Sequence, residues 1–431
     1  MLLQKGLIGH ILLLLLTVTC PGNIYAESDP FYIIAAGDLR GEIQPCGCSE
    51  DGDLGGLLRR DSYLAQSRSQ TPGLIYLDLG NNFPPPSEQG SLKVDLIQKS
   101  FKSLKPQVIL VGPNEWLYGL KTMDTSLPYL LSNTSKSEFF HDVFILNKGK
   151  AGVWGFVSPS QLYQNKNDEN TIYPASRDLV EQWNKNKAEV KKKILLFRGN
   201  SEELAIFEKT GWFDLIITGN NFDDELNQIL EMKTASNRYP SVPTKGQGVV
   251  VLSLKGTHWK NQVEWLNNKI PDSSNLIKHF EEYNEQVKEL FFKNLENIDT
   301  HKLETPYTGN EVCKACHLVE FQIWSQSRHA HAFDTLKKVN KHYDPECVQC
   351  HVVGLNKKGF ASIELTPELA NVQCENCHGP GKLHTQMPQN NPTAQPAAAV
   401  CTSCHHGGHS PHFSFEIYWP KIQHQKQPAI K

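Results

Sequence analysis

The chain has 431 residues, a formal net charge of −3, and 21% charged against 39% hydrophobic residues. At roughly 100–200 residues per domain, that length holds two or three domains. The even balance excludes a disordered tail, and the near-neutral charge excludes a nucleic-acid binder. Cysteine and histidine are unevenly placed: eight of the 11 cysteines and thirteen of the 17 histidines fall in residues 301–431. A body nearly free of both is followed by a Cys/His-dense tail.

At the N-terminus, Lys5 precedes an apolar run from Leu7 to Val18, and small residues follow. The pattern predicts a secretory signal peptide over residues 1–26, cut after Ala26. The run is about 12 residues, too short for a membrane span, which takes about 20. Cys20 opens an alternative, a lipid anchor with peripheral membrane association, although Thr17 stands where Leu is usual. Either reading places the mature chain in an exported, periplasmic compartment, where free thiols are uncommon.

Over 27–270, short apolar runs alternate with amphipathic segments. Strands are predicted at 31–38, 73–80, 107–112, 142–147, 152–158, 193–199, 213–220 and 248–254, and helices at 91–104 and 176–193. Such alternation makes an α/β layered domain. Sites in these sheets form at the carboxyl ends of strands, here after Gly37, Gly80, Gly112 and Gly219.

Those turns resemble the metallophosphoesterase family, in its 5′-nucleotidase-like branch. GDLRGEIQP with GGLLRR, LDLGNNF, VGPNEW and DLIITGNNF correspond to successive motifs. The resemblance implies an α/β layered sandwich with a two-metal site, but most ligands are replaced. Asp38 is kept. Arg40 stands for a His, and Asn81 for the bridging Asp. Pro113 and Asn114 stand for an Asn-His pair, leaving Glu115, and Asn220 and Phe222 replace the final His pair. Arg198 falls where another His belongs. A two-metal hydrolase holds its ions about 4 Å apart with several anionic or imidazole ligands. One carboxylate beside a guanidinium repels divalent cations, so the domain is expected to be an inactive scaffold, since fold alone does not confer function. Arg40 is a candidate anion holder or an ordinary structural arginine.

Cys46 and Cys48, in QPCGCSEDGD, are candidates for a small-ring disulfide, a metal ligand pair or a redox-active dithiol. Residues 271–300 form a helical linker: Leu276, Phe280, Tyr283, Val287, Leu290 and Leu295 recur at mostly helical steps, with Ser273 and Ser274 as candidate N-caps. Its apolar face should pack on one domain.

The tail, 301–431, carries four CxxCH motifs: Cys313, Cys316, His317; Cys347, Cys350, His351; Cys374, Cys377, His378; and Cys401, Cys404, His405. CxxCH is the c-type haem attachment signature, and this composition would produce only about 0.01 of them by chance. Paired CxxC motifs also make zinc ribbons, but zinc does not require His after every second Cys. Four c-type haems are therefore expected, with His317, His351, His378 and His405 as proximal ligands. Met387 is the tail's one methionine, so at most one haem is His/Met and the others are bis-histidine or five-coordinate. The tail is too poor in apolar runs for an ordinary core, and the porphyrins are expected to supply it.

The stretch from YTGNEVCKACH to EIYWPKIQH, about 305–424, resembles the tetrahaem cytochrome c-554 family. Matching features include Trp324, Ser327, His329 and Ala330, and the segment His378 to His384. By that resemblance His329 and His384 are the first candidates for distal ligands, with His331, His412 and His424 next, and the tail is mainly α and loop-rich. The expected function is electron transfer by an exported multihaem cytochrome. Its partners are other redox proteins and, during assembly, the haem-maturation machinery. The alternatives are a reductase of a small nitrogen or sulfur oxyanion at a five-coordinate haem, with Cys46 and Cys48 as a candidate redox pair, and a surviving phosphohydrolase.

Overall fold

A computed structural model describes residues 31–45, 53–135, 138–147, 150–162, 170–185, 189–219, 239–255, 258–296, 304–406, 410 and 412–424. The expectations for the signal peptide, Cys20, Cys46, Cys48, Asn220 and Phe222 lie outside these residues.

The body is built on two sheets. The first has the order β10-β9-β1-β2-β3-β4, with β1 at Phe31–Ala36, β2 at Ile75–Asp78, β3 at Val108–Leu110, β4 at Tyr129–Leu130, β9 at Gly248–Lys255 and β10 at His258–Trp265. β1 to β4 run parallel, and β9 and β10 add antiparallel strands beyond β1. The second sheet has the order β5-β6-β7-β8, with β5 at Phe144–Leu146, β6 at Ala151–Val157, β7 at Lys192–Arg198 and β8 at Leu215–Thr218. β2, β3, β6 and β8 are buried at every position. Continuous burial is what sheets covered on both faces require, and it is why these strands read as unbroken apolar runs.

The sheets pack face to face. Gly155 of β6 lies against Leu110 and Leu130, where an added Cβ would come within 2.6 Å of Leu110 Cδ1. The first sheet shares a core with α1 (Leu57–Gln70) and α2 (Glu88–Leu104), and the short helix α3 (Pro113–Leu117) follows β3. On the outer face of the second sheet, Trp154, Phe156 and Phe197 pack under α4 (Arg177–Lys185) and α5 (Ser201–Thr210). The body is thus an α/β layered sandwich.

The linker helix, α6, spans Ser274–Glu296, and Ser273 Oγ accepts from Asn275 N–H at 3.2 Å at its start. Leu276, Phe280, Tyr283 and Val287 are buried in the body's core, while Phe291 and Phe292 turn to Tyr343 of the tail. The helix therefore packs on both parts, not on one as its periodicity suggested. Its apolar stripe continues past the body's edge.

The tail is short helices and loops between Asn310 and Lys421. It does hold a small apolar cluster: Phe333, Leu336, Val348, Val352, Val353, Phe360, Leu369 and Ala370. This cluster includes Val348 of the second motif, and Cys347 packs against it. Elsewhere, Val312, Leu318, Val319, Leu383 and Met387 are 46–61% exposed. Among the described residues, no helix is long and apolar enough to cross a membrane.

Candidate functional site

The body's strand-end pocket is filled by its own side chains. Asp38 follows β1 with φ 56°, Arg40 has φ 51°, and Asn81 follows β2 with φ 59°. Left-handed backbone at three non-glycine residues persists only where surrounding contacts hold it. Here Asp38, fully buried, accepts from Asn81 Nδ2 at 2.8 Å, pairs with Arg40 at 3.0 Å and pairs with Arg198 at 3.2 Å. Arg198 ends β7, is 1% exposed, and also donates to the carbonyls of Leu79 at 2.7 Å and Gly80 at 3.1 Å. A buried guanidinium needs such a set of acceptors.

Glu115, the other buried carboxylate, is turned to the backbone. It accepts from the N–H groups of Asn81 (2.8 Å), Asn82 (2.7 Å) and Gly112 (3.0 Å). Burial pushes its carboxyl above the ordinary range, and those N–H groups pull it back. Asn114 donates its side-chain amide to Phe83 O at 2.6 Å. Beside this network, Asp78 is also pushed up by burial. It is opposed first by Arg60, a fully buried arginine 3.4 Å away that the sequence motifs do not single out. Two carboxylates, Asp38 and Glu115, balance two guanidiniums, Arg40 and Arg198. Among the described residues, no group of three or more His, Cys, Asp or Glu is placed to hold a metal ion.

The tail has the opposite character, because its histidines are brought together in pairs. The ring of His317, in the first motif, faces that of His384 with centroids 6.3 Å apart and planes 29° from parallel. His405, in the fourth motif, faces His329 at 6.1 Å, and His378, in the third, faces His424 at 5.8 Å. Two imidazoles that each bond one ion at about 2.0–2.1 Å have centroids on the order of 6 Å apart. Backbone carbonyls orient several of these rings. His378 Nδ1 meets Ala394 O at 3.0 Å, and His384 Nδ1 meets Asn391 O at 2.8 Å. With Nδ1 so engaged, the ring offers Nε2 outward, as metal-bound histidines do. Burial holds His329 below the usual histidine range, toward the neutral form that binds metal.

His351, of the second motif, is oriented in the same way, with Nδ1 2.6 Å from Ala332 O. It has no facing histidine ring among the described residues. His331 ends the turn Arg328–His331 and is exposed, as is His412. Among the described residues no motif cysteine is in a disulfide. Cys313 lies beside Cys374, and Cys350 beside Cys404. The first motif therefore neighbours the third, and the second neighbours the fourth. Burial pushes the Cys347 thiol up to about 12.

One organising residue lies inside a motif. Glu375, between Cys374 and Cys377, is 5% exposed. It accepts from the N–H groups of Thr308 (3.0 Å), Gly309 (2.9 Å) and Gly381 (2.7 Å), tying the approach to the first motif onto the third. A CxxCH pattern leaves its two middle residues open, so nothing in the spacing marks this glutamate. Glu375→Ala strands three N–H groups and is expected to destabilise the tail by about 3 kcal/mol, read as a lowered denaturation midpoint.

The donor set fits c-type haem. It has vicinal thiols, an adjacent imidazole, an opposed imidazole in three cases, and exposed apolar side chains (Val312, Leu318, Leu383) where a porphyrin needs cover. Such a donor set is that of a c-type cytochrome segment, here joined to a layered α/β body. More particularly, the family "Cytochrome c554 and c-prime" matches residues 312–379. Cytochrome c-554 of Nitrosomonas europaea is 37% identical over 95 residues, 18% of this chain. The match spans 40% of that relative's length. The chain is also similar to the 5′-nucleotidase precursor of Thermus thermophilus, with TM-score 0.45 and 15% identity over 60% of this chain and 59% of that one. For the calcineurin-like phosphoesterase YfkN of Bacillus subtilis the TM-score is 0.44 with 18% identity, over 60% and 97% of the two chains.

Proposed function

We propose that this chain is an exported, periplasmic electron-transfer protein carrying four c-type haems, one at each CxxCH motif. The signal peptide is residues 1–26, the body 27–270, the linker 271–300 and the cytochrome domain 301–431. The observation that carries the reading is the set of three facing histidine pairs, each joining a motif histidine to one from elsewhere in the tail. In this reading His384, His424 and His329 are the distal ligands for the first, third and fourth motifs. When bound, haem would supply one-electron carriage, and the facing imidazoles would hold it and favour a comparatively low potential relative to Met/His ligation. The protein's own part is orientation: carbonyls of Ala332, Ala394 and Asn391 fix the rings, and Glu375 holds two motifs together. Redox proteins are its partners.

A second reading rests on His351. No described histidine ring faces His351, so a haem held there would lack a second imidazole from those residues and would be open to a small ligand, the arrangement a reductase of a nitrogen or sulfur oxyanion would need. Electron paramagnetic resonance on the oxidised protein separates the outcomes. Three low-spin haems and one high-spin haem that binds cyanide are expected. Four low-spin haems would leave an electron carrier without an open iron. His384→Ala should convert one further haem to high spin. The body is not proposed to hydrolyse phosphoesters, and added Mn²⁺ should elicit no nucleotide hydrolysis.

A further inference from the structure

The contacts that join α2 and α6 to the tail converge on residues 341–346, immediately before Cys347. Gln89 of α2 donates to Asp344 at 2.8 Å and to Tyr283 OH at 3.1 Å. Asn284 of α6 accepts from Lys341 Nζ at 2.7 Å, and Phe291 and Phe292 pack on Tyr343. Asp344, 7% exposed, in turn accepts from Glu346 N–H at 3.1 Å and so caps the helix Pro345–Val348 that carries Cys347. At the centre is Lys93 of α2, 6% exposed. Its Nζ donates to Gly41 O at 2.9 Å, in the turn after β1, and to Glu346 at 2.5 Å.

We propose that α2 and α6 are a charged mount for the second attachment motif, in which Lys93, paired with Glu346, sets the reduction potential of the haem held at Cys347, Cys350 and His351. The inference rests on the haem reading above. Lys93 is pinned by Gly41 O, so the body places the cation independently of the tail. A buried ammonium keeps its charge only with such partners, and at low effective dielectric its field reaches several ångströms. Glu346 directly precedes Cys347 on the helix Pro345–Val348, so the Lys93–Glu346 pair sits one residue from the attachment point. A nearby cation favours the reduced site, and a nearby anion favours the oxidised one. The Glu346 side chain is 51% exposed, so the pair contributes little to folding. The mount gives the body a use that needs no chemistry of its own.

The test is a spectropotentiometric titration of the haem-loaded full chain, with three variants: Lys93→Met, Glu346→Gln and the double substitution. Lys93→Met should lower the potential of the high-spin haem. Glu346→Gln should raise that of the same haem, and the double variant should return near wild type, with the other three haems unmoved. Shifts of the same sign in both single variants, or shifts spread over all haems, would mean loosened packing and overturn the proposal. So would unchanged potentials. Should Lys93→Met fail to fold, Glu346→Gln alone carries the test, because its side chain is half exposed. A protein lacking haem at Cys347 and Cys350 by peptide mass would instead sink the haem reading itself.

Discussion

Arg198→Met is expected to cost the body about 3–5 kcal/mol, because it removes one partner of a buried ion pair and leaves the other in place. Asp38 would keep Arg40 and Asn81 but lose the guanidinium at 3.2 Å, and the carbonyls of Leu79 and Gly80 would lose their donor. For a domain of this size the melting temperature should fall on the order of 10 °C. Differential scanning calorimetry of the full chain reads this directly. The variant should gain no Mn²⁺-dependent hydrolysis, because among the described residues no group of three or more His, Cys, Asp or Glu is placed to hold a metal ion. A stable, metal-binding Arg198→Met protein would mean that the arginine had merely plugged a working site.

Replacing Cys374 and Cys377 together with Ala has the larger consequence for the tail. One covalent haem should be lost from the mass, and low-spin absorbance should fall accordingly. The effect should not stop there. Cys374 lies beside Cys313, and Glu375 between the two cysteines holds Thr308 and Gly309, so the first motif loses its support as well. Limited proteolysis should cut the tail of this variant within 304–390 under conditions that leave the wild type intact, with the body still folded. The apolar cluster of Phe333, Val348 and Phe360 sits around the second motif, so that region should be the last of the tail to yield. Loss of a single haem with an otherwise protease-resistant tail would show that the motifs fold independently.

How far the sequence could be read follows from the physics of each part. Buried parallel strands were legible because they are continuous apolar runs, as at 193–199. β10, HWKNQVEW, was missed because an edge strand with one exposed face carries little apolar signal. α5 had a readable start, since Asn200 and Glu203 form a reciprocal cap, but its short apolar stripe hid it. The expectation that the body lacks a two-metal ligand set comes only from resemblance. That Arg198 occupies the pocket required long-range geometry, since its partners are more than a hundred residues away in the chain. In the tail, the attachment motifs are local and unmistakable, whereas the facing partners are not. His424 meets His378 across a fold that no spacing rule describes, and His331, next but one to His329, lies exposed instead. Lys93 reads as an ordinary polar residue of an amphipathic helix, and its role is visible only when Gly41 and Glu346 converge on it.

The measurement that bears most directly on the central claim is the intact mass of the mature protein under denaturing conditions, after expression with c-type haem maturation. Four covalently attached haems are the predicted result, on a chain beginning at Glu27. A chain of the right length with no covalent haem would contradict it, and would make the four CxxCH motifs thiol or zinc sites instead.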